Sequence, residues 1–82
     1  MVDAAASFGA VLRRLRKAAG LTQEQLALEA DLRRTYVSIL ELGHQQPTLT
    51  TILKLAAALG HSAGEIVSLV EAELARGRKR RS

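Results

Sequence analysis

Side chains with complementary hydrogen-bonding chemistry recur at helical spacing in the middle of this chain. The guanidinium of Arg34 can donate two parallel hydrogen bonds, and the hydroxyls of Thr35 and Ser38 can each donate or accept. Ile39 adds an apolar surface that suits contact with a methyl group. Across the chain we find no nucleophile paired with a base, no glycine-rich phosphate loop and no zinc spacing. We therefore expect a binding surface and not an enzyme, with no catalytic residue, metal or cofactor.

Two short helices joined by a tight turn are predicted to position these side chains. Thr22 and Gln25 have the spacing of a capping box, which predicts that a helix starts there. The next helix is predicted from about Arg34 to Leu42, with Gly43 at the left-handed position that ends it. Tyr36, Val37 and Leu40 lie at helical spacing and should form its buried face, which leaves the four side chains named above outward. A helix-turn-helix offers side chains to the major groove of DNA in this way.

The same stretch resembles a known family, the phage repressor and Cro type of helix-turn-helix, also called the xenobiotic response element family. The resemblance covers roughly Phe8 to Leu69, and the segment DLRRTYVS also looks like the controller proteins of restriction-modification systems. It implies an all-α, five-helix, repressor-like DNA-binding domain that acts as a sequence-specific transcriptional regulator on double-stranded DNA. The residues whose spacings agree with the family are Gln23, Ala27, Glu41, Gly43 and Pro47, followed by the run Ile52 to Gly60.

The resemblance places the third helix in the major groove, where its outward residues would read bases. Arg34 would bind guanine through O6 and N7 together. Thr35 and Ser38 would contact bases or phosphates, and Ile39 would touch a thymine methyl.

Further contacts are implied around that helix. Gln23, in the first turn of the second helix, holds the family's position for a contact to the DNA backbone and for bracing the first base reader. Arg33 replaces the Ser or Thr that commonly caps the third helix, which weakens the cap and leaves a guanidinium for a phosphate. The two histidines lack neighbouring metal-type ligands. The phosphate candidates from the loop after the third helix are His44, Gln45 and Gln46.

The first helix is predicted from about residue 5 or 7 to residue 19, because its apolar residues follow a helical period and Gly20 ends it. Arg16 lies beside that apolar stripe, and the family pairs the matching arginine with the glutamate that matches Glu41. The resemblance thus implies a structural ion pair between the two. The other face of this helix is either solvated or in contact with phosphates, through Arg13, Arg14 and Lys17.

The last two helices complete the predicted fold and indicate a homodimer. Thr48 should cap the fourth helix, whose apolar set is Leu49, Ile52, Leu53, Leu55, Ala56 and Leu59. Ser62 and Glu65 should form the capping box of the fifth, whose apolar stripe continues through Val70 to Leu74. A two-fold contact through this stripe would set two third helices about 34 Å apart on a near-palindrome. The alternative is that Val70 and Leu74 lie back on the first helix.

The length of the chain and the distribution of charge along it indicate how it is divided into domains. The 82 residues make one domain, and five of the 12 basic residues lie in 76–82 without an acid. We therefore divide the chain into a DNA-binding domain with a dimerisation helix, 1–75, and a basic tail, 76–82. Residues 1–40 carry six basic and four acidic side chains, whereas 41–75 carry one and four. The first half is the better candidate for meeting phosphates.

No membrane, signal or disulfide feature is present in the sequence. No apolar run is long enough to span a bilayer, residues 1–7 do not resemble a signal peptide, and cysteine is absent. We expect a cytoplasmic protein with no membrane partner and no small-molecule substrate.

One alternative function comes from a different class, a helix-turn-helix used as a protein-interaction module such as an antitoxin. Ile39 and Leu42 favour it, because they lie where the family often carries polar or basic residues and exposed apolar side chains can mark a protein interface. Arg34 and Thr35 at the front of the third helix favour DNA.

Overall fold

Five helices make up the part of the chain that the computed structural model describes, which is the backbone of residues 3–81 and the side chains of residues 3–77. No strand occurs in that part. The helices are α1 (Ala4–Ala18), α2 (Gln23–Ala30), α3 (Arg34–Glu41), α4 (Leu49–Leu59) and α5 (Ala63–Arg81). The prediction of an all-α, five-helix domain with the helix-turn-helix at the second and third helices is confirmed.

Local side-chain caps start most of these helices. Thr22 accepts from the Gln25 amide at 3.0 Å, and the Gln25 side chain accepts from the Thr22 amide at 2.8 Å, so the predicted capping box is present. Ser62 and Glu65 form the second predicted box, and the Ser62 amide that donates to Glu65 lowers the pKa of that carboxyl. Arg33 makes no side-chain cap, as predicted.

The turn between α2 and α3 depends on Asp31, which has a φ of 56°. A left-handed backbone is uncommon outside glycine, and aspartate is among the residues that adopt it most readily. The Lys54 side chain on α4 reaches the Asp31 carboxylate at 3.8 Å. After α3, Gly43 has a φ of 76°, which confirms its predicted left-handed position. Together these two residues fix both ends of α3.

The core lies where α1 and α4 close over the two helices of the turn. α1 packs against α3 and α5, and α2 packs against α3 and α4. Because α3 contacts helices on two sides, its inner face is buried while its opposite side stays open. The largest fully buried side chains are Leu12, Leu26, Leu40, Leu55, Ile66, Val11 and Val37.

Two leucines that the sequence pattern assigned to the core of α4 lie outside it. Leu49 is 71% exposed and Leu53 is 53% exposed, so this part of the prediction is wrong. The inner face of α4 begins instead at Thr51, whose hydroxyl lies 3.3 Å from that of Tyr36 and 3.0 Å from that of Thr48. With its hydroxyl paired, Thr51 is buried at little cost, and its position turns Leu49 and Leu53 outward.

α5 lies back on α1 more than its apolar stripe predicted. Val70 and Leu74 are half-buried, and Val70 packs against the core. The expectation that both are uncovered is wrong, and the alternative that they fold back is the better description. Arg14 on α1 lies 3.5 Å from Glu73, and this contact reinforces the packing.

The helix continues past residue 75 without a break, to Arg81. The side chains of the predicted basic tail from residue 78 onward lie outside the described residues. In the described part of the chain no single helix has both the length and the apolar character needed to cross a bilayer. Only α4 and the segment Ala63–Gly77 taken together reach that length and apolar character, and the two are bent by 103° relative to each other.

α1 crosses the end of α3 at unusually short range, at Gly9. A Cβ added there would lie 2.5 Å from the carbonyl oxygen of Leu40 and 2.7 Å from that of Glu41. Gly43 makes a similar approach, with an added Cβ 2.9 Å from the Cα of Ala6. Because the opposing atoms are backbone, a methyl group could fit only if a helix moved.

We expect Gly9→Ala to destabilise the domain by about 1–3 kcal/mol, although alanine is the better helix former. The measurement is urea unfolding followed by circular dichroism. Gly64→Ala is the matched control, since a Cβ at this helical position would meet nothing nearer than 3.8 Å. Equal stability of the two variants would show that α1 has room to move away from α3.

Candidate nucleic-acid interface

A buried ion pair joins the first helix to the end of the third. Arg16 Nε donates to Glu41 Oε2 at 2.6 Å and Arg16 Nη2 donates to Glu41 Oε1 at 3.0 Å, with side chains 12% and 4% exposed. Arg16 Nη1 also donates to the carbonyl of Leu21 at 2.8 Å. The hydrogen bond that Arg16 donates to Glu41 raises the pKa of Arg16, although burial acts in the opposite direction. The predicted structural pair is confirmed, with a two-pronged geometry that fixes both side chains.

The amide of Gln23 also joins this pair. Gln23 Nε2 donates to Glu41 Oε1 at 3.1 Å, so the first residue of α2 is tied to the last residue of α3. The predicted bracing of the first base reader, Arg34, is not made by a hydrogen bond among the described side chains. Gln23 and Arg34 nevertheless line one cleft between the starts of the two helices, together with Glu24.

The outer side of α3 is open at its start and partly covered at its end. Arg34 and Thr35 are exposed, whereas Ser38 and Ile39 are half-buried. All four therefore reach the surface, the first two more fully than the last two. α1 crosses close to the end of α3, where Gly9 lies against the carbonyl groups of Leu40 and Glu41.

The remaining predicted contacts surround that open turn. Arg33 is exposed immediately before α3, and within residues 3–77 neither it nor Arg34 forms a salt bridge. The loop that follows α3 exposes the three predicted phosphate candidates, His44, Gln45 and Gln46. Of the nine predicted site residues six are exposed, three are half-buried and none is buried. Two unpaired guanidinium groups next to exposed hydroxyl and amide groups form a surface that suits phosphates and base edges.

Sequence reasoning missed two residues near this surface. Gly9 sets how closely α1 approaches α3, and a lone glycine inside a predicted helix was the available signal. Glu24 places a carboxylate in the cleft beside Arg34, and no signal in the sequence pattern marks it as different from a solvated charge. Leu42, which favoured the protein-interaction alternative, is 65% exposed at the end of α3.

The fold and this surface define a class of protein. The helix-turn-helix family model matches residues 12–66, and the chain belongs to this family, in its Cro/C1-type branch of DNA-binding transcriptional regulators. Proteins of this class regulate transcription. No group of three or more His, Asp or Glu side chains that could hold a metal occurs among the described residues.

Individual relatives make the resemblance to controller proteins specific. The chain is 39% identical over 74 residues to control protein C.MunI of Mycoplasma sp. The matched region covers 89% of this chain and all of that relative. It is 42% identical over 60 residues to the HTH-type transcriptional regulator y4dJ of Sinorhizobium fredii, covering 73% and 78% of the two chains. The restriction-modification controller protein C.AhdI from Aeromonas hydrophila superposes with a TM-score of 0.72 at 46% identity, covering 74% of this chain and 92% of that one.

Glu41→Ala should destabilise the domain by about 3–5 kcal/mol, because it leaves the Arg16 charge largely buried without its partner. The loss would be a large share of the stability of so small a domain. Thermal melting followed by circular dichroism measures it. Glu29→Ala, which removes an exposed glutamate from α2, is the control and should change stability by no more than about 0.5 kcal/mol. Similar melting temperatures for the two variants would contradict a stabilising role for the pair.

Proposed function

We propose that this regulator binds a near-palindromic DNA site as a homodimer, with α3 of each copy in the major groove. The observation that carries the proposal is the open first turn of α3, where Arg34 and Thr35 are exposed beside the start of α2. A helix that reads bases contacts them mainly through such N-terminal residues.

The charges of this surface support contact with DNA. Arg33 and Arg34 have no carboxylate within salt-bridge distance among residues 3–77, so binding a phosphate or a guanine would break no existing ion pair. Arg34 would bind guanine and Arg33 would bind a phosphate. In the loop after α3, the side-chain amides of Gln45 and Gln46 would donate to phosphates of the DNA backbone. Ile39 is half-buried, which limits it to an edge contact with a thymine methyl.

The apolar surface that supports a dimer lies on α4 and α5. Leu49 and Leu53 are one turn apart on the exposed side of α4, and Val67 is 44% exposed on α5, which packs against α4. A second copy would cover these side chains through a two-fold contact, because such a contact pairs a surface with itself. Two copies would also double the DNA surface that so small a module buries.

Salt-dependent retention on duplex DNA tests the function itself. A DNA regulator should elute from immobilised random duplex at a salt concentration that rises with the number of its phosphate contacts. The protein-interaction alternative predicts no retention. Selection of bound sequences from a random library would then give the site and its half-site spacing.

Arg34→Ala should weaken binding to the selected site by about 1–3 kcal/mol and remove the preference at one position in each half-site. Arg33→Ala is the contrasting variant, since loss of a phosphate contact should weaken binding to selected and random duplexes alike. Fluorescence anisotropy with labelled duplexes of both kinds measures the two effects. Equal losses on both duplexes for Arg34→Ala would rule out base reading by this residue.

Leu53→Asp combined with Val67→Asp should convert a dimer into a folded monomer that has lost most of its specific affinity, because each aspartate would place a charge in an apolar contact. Sedimentation velocity at micromolar concentration measures the state of assembly. Leu28→Asp serves as the control, since Leu28 is an exposed leucine on α2. If it dissociates the protein equally well, the surface on α4 and α5 is not the interface.

A further inference from the structure

The outer face of α1 carries three basic side chains that the proposed site does not use. Arg13, Arg14 and Lys17 are all exposed there. Among residues 3–77, neither Arg13 nor Lys17 has a carboxylate within salt-bridge distance. Arg14 contacts one carboxylate, that of Glu73 on α5, at 3.5 Å. The position of these charges relative to the proposed DNA surface decides what they can bind.

One edge of this face meets the cleft between the starts of α2 and α3. Arg16 lines that cleft together with Gln23 and Arg34. An α-helix turns by about 100° per residue, so Arg13 lies about 60° and Lys17 about 100° around α1 from Arg16. These two cations therefore adjoin the proposed DNA surface on its α1 side.

The other edge of the face meets α5. Arg14 Nη1 lies 3.5 Å from Glu73 Oε1, and Arg76 Nη1 lies 3.2 Å from the same oxygen. Two guanidinium groups from different helices thus converge on one carboxylate, which makes the basic face of α1 continuous with the end of α5. The backbone of α5 continues as a helix beyond this point, and positions 78–81 are all basic in the sequence.

We propose that these side chains form a second phosphate-binding surface, the basic strip, which holds the duplex that flanks the site bound by α3. The basic strip consists of Arg13, Arg14 and Lys17 on α1 and Arg76 on α5. It would contact phosphates without reading bases. The inference rests on the proposed function, because a flank exists only where α3 has bound a site.

The distribution of charge favours duplex DNA as the partner. The basic strip combines four cations with one carboxylate, whereas residues 41–75 carry one basic and four acidic side chains. A polyanion is therefore attracted to the α1 side of the domain and repelled from the α4 side. A duplex held by α3 extends beyond its site at both ends, with one negative charge for about each 1.7 Å of its axis. The strip adjoins the proposed site, so such a flank is the polyanion nearest to it.

The deciding experiment compares two duplexes that contain the selected site. The short duplex ends at the edges of the site, and the long duplex carries about 10 further base pairs on each side, which is one helical turn. On the long duplex, Arg13→Gln combined with Lys17→Gln should make the slope of log K against log salt concentration shallower by about 2 for each bound copy. On the short duplex the slope should not change. Fluorescence anisotropy over a salt series measures both slopes.

Arg33→Gln is the matched control, because it removes a guanidinium whose proposed phosphate lies inside the site. It should change the slope equally on the two duplexes. Two outcomes for the double variant would overturn the inference. An equal change on both duplexes would place its contacts inside the site, and no change on either would leave a solvated face or a face for a protein. Failure of the proposed function is distinct, because wild-type protein would then show no salt-dependent binding to any duplex.

A second measurement covers the case in which the double variant does not fold. Glu73→Gln removes the carboxylate that occupies Arg14 and Arg76, so affinity for the long duplex should rise about 2- to 5-fold, the worth of an exposed ion pair. Glu71→Gln makes the same charge change on an exposed residue of α5, about 160° around the helix, and should raise affinity less. Loss of packing cannot produce a gain in affinity. Equal effects of the two variants, or a loss with Glu73→Gln, would overturn the inference.

Discussion

The arginine–glutamate pair between α1 and α3 is the interaction on which the rest of this small domain depends. Arg16 has three of its nitrogens engaged, two with Glu41 and one with the carbonyl of Leu21. One side chain of α1 therefore holds the segment just before α2 and the end of α3. A domain with a core this small has few other ways to fix the angle between its helices.

A second constraint is the contrast between the two ends of α3. Its last turn is pressed against α1 at Gly9, whereas the side chains of Arg34 and Thr35 at its start are exposed. The end that is packed carries Glu41, and the end that is open carries Arg34 and Thr35. The packed end and the exposed end thus lie within one eight-residue helix. Ile39 lies between the two ends and is half-buried.

Local features were predictable from the sequence, and features that depend on neighbours were not. The capping boxes at Thr22 and Ser62 depend on residues three apart, so spacing alone was sufficient. The faces of α4 were misassigned, because a count of apolar residues could not show that Thr51 is buried by its bond to Tyr36. The partial cover of Val70 depends on α1, which is distant in sequence.

The candidate site divides in the same way. The residue types at the start of α3 indicated a base-reading surface, and their exposure agrees with that reading. The ion pair was inferred from the family resemblance, since residues 16 and 41 are too far apart for spacing to link them. The link from Gln23 to Glu41 had no signal in the sequence, because it exists only once three helices have been assembled.

The contact between Tyr36 and Thr51 has a practical consequence. Tyr36 is the only tyrosine in the chain, and there is no tryptophan to mask its emission. Its ring belongs to α3 and its hydroxyl lies 3.3 Å from a buried hydroxyl on α4. The intrinsic ultraviolet fluorescence of the protein therefore originates from one side chain on α3. Changes in the packing of α3 against α4 can be followed with an optical probe that the chain already contains.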